Sequence, residues 1–144
     1  MSSITDFTIF LVDDDPLCLT LYQQFLKQCG YPDIELFDSG SDCLDGLDEH
    51  EPDIIFLDYN MEGMNGLDVL KKIKEFNPDI IVLFISGQED IEVAITAMKH
   101  GAVDYIVKSS LNPEKMKAIM EKIEIMKPLI RKKSKKSFIK KLFS

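Results

Sequence analysis

Ile9-Phe10-Leu11-Val12-Asp13-Asp14-Asp15-Pro16 sets an apolar run directly against three acids and a proline. With Phe7 the run covers Phe7–Val12, which is rich in β-formers and nearly continuous in apolar character. That is the pattern of a strand covered on both faces. Pro16 suits the first position of a helix, and Asp15 before it suits the N-cap. A buried strand that ends in acids and turns at once into a helix is half of a β–α–β unit. If the chain repeats it, the result is a parallel sheet whose chemistry gathers at the carboxyl ends of the strands.

The chain does repeat it. The first helix, with Leu17, Leu21, Phe25 and Leu26, is closed by Gly30. Ile34–Phe37 reads as a short strand and Ser41–His50 as a helix, and Asp53–Leu57 is another buried strand, through Ile54, Ile55, Phe56 and Leu57. Leu67–Phe76 reads as a helix stopped by Asn77-Pro78, and Ile80–Ile85 is the most strand-like segment. Glu89–His100 is helical and ends at Gly101, a natural C′ glycine. Val103–Val107 gives a fifth strand. Asn112 as N-cap and Pro113 as N1 open a last helix running to about Met126. Strict alternation predicts an α/β fold: a doubly wound five-stranded parallel sheet with right-handed crossovers and helices on both faces.

The strand ends then carry the argument. The first strand delivers Asp13, Asp14 and Asp15, the third Asp58, the fourth Ser86 and the fifth Lys108. Carboxylates within ~4 Å of one another repel by a few kcal/mol at an effective dielectric of ~20. A hard divalent cation with oxygen ligands, Mg²⁺ or Mn²⁺, relieves that repulsion. Such a site suits a phosphoryl group, whose remaining oxygens an ammonium and a hydroxyl can hold. A carboxylate is also a competent phosphoryl acceptor, and Asp58, the lone acid at the end of the central strand, is the candidate.

Plainer readings stand beside these. Asp15 is explained by capping alone. Ser86 before Gly87 fits ordinary turn chemistry, and Tyr105 fits a core aromatic. His50 and His100 sit at helix C-termini, where an imidazole is favoured electrostatically, and neither has a second ligand at metal spacing. Gly63 and Gly66 form no phosphate-cradling Walker loop, and there is no nucleophile-elbow motif.

Taken together, Ile9 to Pro16, Pro52 to Asp58, Met64-Asn65-Gly66, Ile85-Ser86-Gly87 and Gly101 to Lys108 resemble the receiver domain of two-component response regulators, over about residues 5–126. The resemblance implies a flavodoxin-like strand order 2-1-3-4-5. It implies that Asp58 takes a phosphoryl group from the phosphohistidine of a sensor histidine kinase or histidine phosphotransfer protein. It also implies that Asp14, Asp58 and the backbone carbonyl of Asn60 ligate Mg²⁺, with Asp13 acting through water. Ser86 and Lys108 would contact the phosphoryl group, and Tyr105 with Ser86 would form the switch. Downstream protein partners would read the face made by the fourth helix, fifth strand and fifth helix. Two positions depart from the family's habit: Glu62 stands where proline is usual, and Ser109 follows Lys108 in place of proline.

Composition sets the limits. The chain has 144 residues and a formal net charge of −8, unevenly spread. Lys127–Ser144 holds one Arg, seven Lys and no acid, giving +8; residues 1–126 hold nine Lys and all 25 acids, giving −16. The acidic part argues against nucleic acid as a partner. Residues 1–127 are therefore assigned to the receiver domain and 128–144 to a basic amphipathic tail containing Phe138, Ile139, Leu142 and Phe143. That tail is read either as a solvated extension or as a contact for an anionic membrane or an acidic protein surface. No apolar run approaches the ~20 residues of a membrane span, no signal peptide opens the chain, and three cysteines make no disulfide framework. The expected location is cytoplasmic, with peripheral membrane attachment only through the tail. Eighteen residues after Met126 are too few for an effector domain, so the expected output is phosphorylation-dependent partner binding by a single-domain regulator that is not a turnover enzyme. The rival readings are a pseudo-receiver scaffold and an aspartate-nucleophile phosphatase. The latter's Asp-x-Asp pattern is broken here by Asn60.

Overall fold

The computed structural model describes residues 6–142, with side chains through Lys127. In chain order the elements are β1 (Ile9–Val12), α1 (Pro16–Gln28), β2 (Ile34–Phe37), α2 (Gly40–Gly46), β3 (Ile54–Asp58), α3 (Gly66–Phe76), β4 (Ile81–Ser86), α4 (Ile91–Lys99), β5 (Asp104–Val107) and α5 (Pro113–Leu142), with a 3₁₀ turn at Lys108–Ser110. The strands form one parallel sheet in the order β2-β1-β3-β4-β5. The predicted fold class and strand order hold.

Alternation along the buried strands divides the core into two layers. Ile9, Leu11, Ile54, Phe56, Leu83 and Ile85 face α1 and α5, meeting residues such as Phe25, Leu26, Met116 and Ile119. Phe10, Val12, Ile55, Leu57, Val82 and Phe84 face the other way, toward Val69, Leu70 and Ile73 of α3 and Ala97 of α4. Side chains that alternate at period two can serve both faces only if both are apolar, which is why these strands read as continuous hydrophobic runs. The same parity places Asp58, at the end of β3, on the α1/α5 side, and Ser86, at the end of β4, on the α4 side.

The caps follow the local chemistry. Asp15 accepts from the Leu17 N–H at 2.9 Å and caps α1. Asn112 accepts from the Lys115 N–H at 2.7 Å and caps α5. Asp90 accepts from the N–H groups of Glu92 and Val93, so α4 starts after it and not at Glu89. Gly30 and Gly101 leave α1 and α4 with φ of 96° and 106°, a region that glycine enters without steric cost.

Two further helices differ from expectation. The second ends at Gly46 instead of reaching His50. The last does not stop near Met126, because its backbone continues through Pro128 to Leu142. An interior proline removes one backbone donor and costs ~3 kcal/mol. No glycine follows Gly101, so that local loss meets no second helix breaker. The tail's apolar side chains, Phe138, Ile139, Leu142 and Phe143, lie outside the described residues, as do the lipid and acidic-surface contacts read from them. Among the described residues no helix is long and apolar enough to cross a membrane.

Candidate functional site

The strand ends bring their acids together. One carboxylate oxygen from each of Asp13, Asp14 and Asp58 lies within 4.8 Å of the others. Asp13 and Asp58 are buried, at 1% and 2% exposure, while Asp14 faces solvent. Two buried acids beside an open one leave the cluster reachable from solvent through Asp14.

Local backbone bonds orient the buried pair. Asp13 Oδ1 accepts from the Asp15 N–H at 2.9 Å, and Asp58 Oδ1 accepts from the Asn60 N–H at 3.2 Å. Their other oxygens turn toward Lys108, whose Nζ lies 2.9 Å from Asp13 Oδ2 and 3.5 Å from Asp58 Oδ2. Asp13 Oδ2 is buried and meets the Lys108 ammonium as an ion pair, with no further hydrogen-bond partner among the described residues. The charges respond to one another. Burial and then the neighbouring Asp13 carboxylate push the Asp58 pKa up to about 6, outweighing Lys108 and the Asn60 N–H. Burial works to lower the Lys108 pKa, but the two carboxylates overcome it and the net shift is upward.

One ammonium facing three carboxylates leaves the cluster short of positive charge. With hard oxygen donors clustered and a buried Asp13 oxygen met by that ammonium alone among the described residues, the residues present fit a cation such as Mg²⁺. Asn60 is tied into the site through its N–H, which donates to Asp58.

Ser86 and Tyr105 form the neighbouring half. Ser86 is 1% exposed and lies one register step beyond Ile85, the partner of Asp58. Its Oγ accepts from the Gln88 N–H at 3.3 Å, and the Tyr105 hydroxyl donates to the Gln88 carbonyl at 2.9 Å. The backbone of Gln88 thus joins the two residues read as a switch. Tyr105 is half-buried and packs on the α3/α4 layer, so the plainer reading of it as a core aromatic holds in part.

Two contributors were not visible in the sequence. Gln88 acts only through its backbone, which no side-chain pattern reports. Gly66 was noted only as part of a motif, yet a Cβ there would lie 2.7 Å from the Phe84 ring, 2.8 Å from Tyr59 Cα and 2.9 Å from the Asp58 carbonyl. Its N–H donates to the Tyr59 carbonyl at 3.0 Å, so α3 begins in contact with the end of β3. The departures at Glu62 and Ser109 leave the cluster intact. Glu62 is exposed, and every described peptide bond is trans, with the chain after Lys108 turned by the 3₁₀ segment. His50 pairs with Glu35 and His100 caps α4 through Thr96, away from the cluster.

This fold with this set of strand-end residues is the arrangement of a receiver domain. The family model for the response regulator receiver domain matches residues 9–121, and the chain belongs to that family. Phosphorylatable aspartate and Mg²⁺ binding are typical of it. Among curated proteins, the regulatory protein LuxO of Vibrio cholerae serotype O1 is 35% identical over 98 residues, covering 68% of this chain and 21% of LuxO. The transcriptional regulatory protein ZraR of Escherichia coli K12 is 37% identical over 114 residues, covering 79% of this chain and 25% of ZraR. The chain therefore spans about a fifth to a quarter of the length of these relatives. Among solved structures, NtrX from Brucella abortus superposes with a TM-score of 0.81 at 27% identity, covering 90% of this chain and 29% of NtrX. The BeF3-activated DrrB receiver domain does so with a TM-score of 0.71 at 29% identity, covering 81% and 95%.

Proposed function

We propose that Asp58 accepts a phosphoryl group from a histidine kinase or histidine phosphotransfer protein and that the chain signals through phosphorylation-dependent binding of a protein partner, as a single-domain regulator. The observation that carries this reading is the convergence of Asp13, Asp14, Asp58 and Lys108 at one edge of the sheet. An Asp58 carboxylate oxygen attacks phosphorus and the P–N bond of the donor phosphohistidine breaks. The imidazole leaves with the bonding pair, and an acyl phosphate remains. Lys108 stands where it can follow the transferred negative charge, and Ser86 offers a hydroxyl to a phosphoryl oxygen. Asp13, Asp14, Asp58 and the Asn60 carbonyl would hold Mg²⁺, which when bound offsets charge on the phosphoryl oxygens.

Recruiting Ser86 toward a phosphoryl group would disturb its bond to Gln88, and with it the Tyr105–Gln88 bond. Those bonds link the site to β5 and to α4, whose Ile91, Ile95 and Met98 are 72%, 49% and 48% exposed. An apolar stripe at such spacing is a surface a protein partner can cover. In this reading the chain is an acceptor that slowly releases its own phosphoryl group, and not a turnover enzyme.

Intact-mass spectrometry after incubation with Mg²⁺ and acetyl phosphate tests the proposal. One added phosphoryl group is expected, absent in Asp58→Asn. A parallel sample with beryllofluoride reports the site even if the acyl phosphate hydrolyses quickly. Failure of both would sink the proposal and favour a scaffold that never takes up phosphate.

A further inference from the structure

A cleft of about 440 Å³ opens between the end of α1 and the first half of α5, sharing no residue with the acid–lysine site. Its floor is apolar, with Tyr31 and Met120 buried beside the half-buried Cys29. Its rim is charged: Glu114, Lys117, Glu121 and Glu124 line it from α5, at alternating steps of three and four that keep them on one helix face. Three carboxylates against one ammonium leave the rim short of positive charge. None of the four forms an ion pair among the described residues.

Tyr31 adds an independent feature. Gly30 turns the chain out of α1, and the Tyr31 N–H returns to the Leu26 carbonyl at 3.1 Å. The Phe7 ring stacks on the Tyr31 ring, with centroids 6.0 Å apart and planes 9° from parallel. The ring is thereby fixed, and only 2% of the residue is exposed. Its hydroxyl nonetheless has no hydrogen-bond partner among the described residues. Burial pushes that hydroxyl's pKa up to about 12, and the groups whose charge then reaches it are Glu124, Cys29 and Glu121. All three line the cleft, so the hydroxyl is aimed into it. A buried hydroxyl left without a partner is costly, and a molecule seated in the cleft relieves that cost.

We propose that this cleft binds a small organic cation, an amine carried on an aromatic or branched apolar body. The volume falls within the ~300–1,000 Å³ of small-molecule sites, which pair an apolar lining with a few placed polar groups. The body covers Met120 and Cys29. The ammonium sits toward Glu121 and Glu124 and donates to the Tyr31 hydroxyl, which burial keeps neutral and able to accept. Glu124 is the rim acid farthest along α5 from Lys117, so the attraction for a cation is strongest at the Tyr31 end. The same rim repels an anion of equal shape, and the site therefore selects by charge as well as by fit.

Titrating tryptamine into the isotopically labelled full chain, followed by amide chemical shifts, tests this. Saturable shifts are expected at Gln28 to Tyr31 and along Glu114 to Glu124, the residues that line the cleft. Indolepropionate, with the same ring and a carboxylate in place of the amine, should produce none. Ethylamine, which keeps the charge and lacks the ring, should bind about tenfold more weakly or less. Glu121→Gln with Glu124→Gln should weaken tryptamine about tenfold, and Tyr31→Phe about threefold. Glu121 is exposed and Glu124 half-exposed, and Tyr31→Phe keeps the ring that stacks on Phe7, so unchanged melting curves can certify that these variants fold. The absence of saturable shifts, shifts that indolepropionate reproduces, or an affinity that neither replacement moves would overturn the proposal. An oligolysine peptide that shifts the rim where tryptamine does not would assign the carboxylates to a basic polypeptide and overturn it equally.

Discussion

Lys108 leans closer to Asp13 than to Asp58, with Nζ 2.9 Å from Asp13 Oδ2 and 3.5 Å from Asp58 Oδ2. The acceptor carboxylate is therefore the less neutralised of the two buried acids. Burial and the adjacent Asp13 raise its pKa to about 6. An acid that is hard to ionise in the folded protein is a source of strain that a cation or a phosphoryl partner can relieve.

That shift has a sign in stability. The folded pKa lies above the ordinary value of 3.8, so between those two values the folded state binds the proton more tightly than the unfolded chain does. In the metal-free protein this term strengthens the fold as pH falls from about 6 toward 4. Above 6 it is a constant penalty, at most about 3 kcal/mol from a pKa difference of about two. Asp58→Asn should accordingly melt several degrees higher than the parent at pH 7.5 without metal, and the difference should vanish near pH 4. Thermal melts of the two proteins across that range provide the check, and a variant less stable than its parent at pH 7.5 would contradict it.

Mg²⁺ should remove the same penalty in the parent. A ligand that binds only the folded state adds RT ln(1 + [L]/Kd), or about 1.4 kcal/mol at ten times Kd. A rise of a few degrees on adding Mg²⁺ is expected, reversed by a chelator and lost in Asp14→Asn. Asp14 is exposed, so its replacement leaves the core intact and separates metal loss from misfolding. Lys108→Met should tighten Mg²⁺, since the ammonium competes for Asp13 and Asp58; calorimetric titration reads both effects.

The link through Gln88 can be cut on one side. Tyr105→Phe removes the hydroxyl that donates to the Gln88 carbonyl at 2.9 Å but keeps the ring in its layer. The loss should be small, ~1 kcal/mol or less, since the bond is near solvent. Its local effect should be larger: faster amide hydrogen exchange at Gln88 and in the segment leading to Asp90, with β4 unchanged. Uniform acceleration over the whole sheet would show that Tyr105 acts on global stability instead.

Much of this was legible in the chain because the strands are buried on both faces. A run such as Ile80–Ile85 has few alternatives to a central parallel strand, and acids placed directly after Val12 and Leu57 had to emerge at the sheet's carboxyl edge. Caps were legible for the same local reason, as with Asp15 and Asn112. What escaped the reading depends on contacts between distant segments or on longer-range helix continuity. Glu89 looks helical until Asp90 takes the cap, and Pro128 reads as a stop although α5 passes through it. The Gln88 bridge is a backbone arrangement that any residue type could supply.

Gly66 is the case where a single missing carbon decides the geometry of the site. An added Cβ would meet the Phe84 ring at 2.7 Å, but a ring can tilt; the harder contacts are Tyr59 Cα at 2.8 Å and the Asp58 carbonyl at 2.9 Å, both backbone. Relief in Gly66→Ala therefore requires α3 to move away from the end of β3, or the Asp58–Tyr59 peptide to shift. Overpacking of this kind costs about 1–3 kcal/mol. Because the strained peptide belongs to Asp58 itself, the variant should also lose Mg²⁺ affinity and accept phosphoryl groups more slowly than its melting temperature alone would predict. A control at an equally buried but remote position, Ile73→Val, should lower stability without touching either. Equal effects of the two substitutions on Mg²⁺ affinity would show that Gly66 matters only for packing.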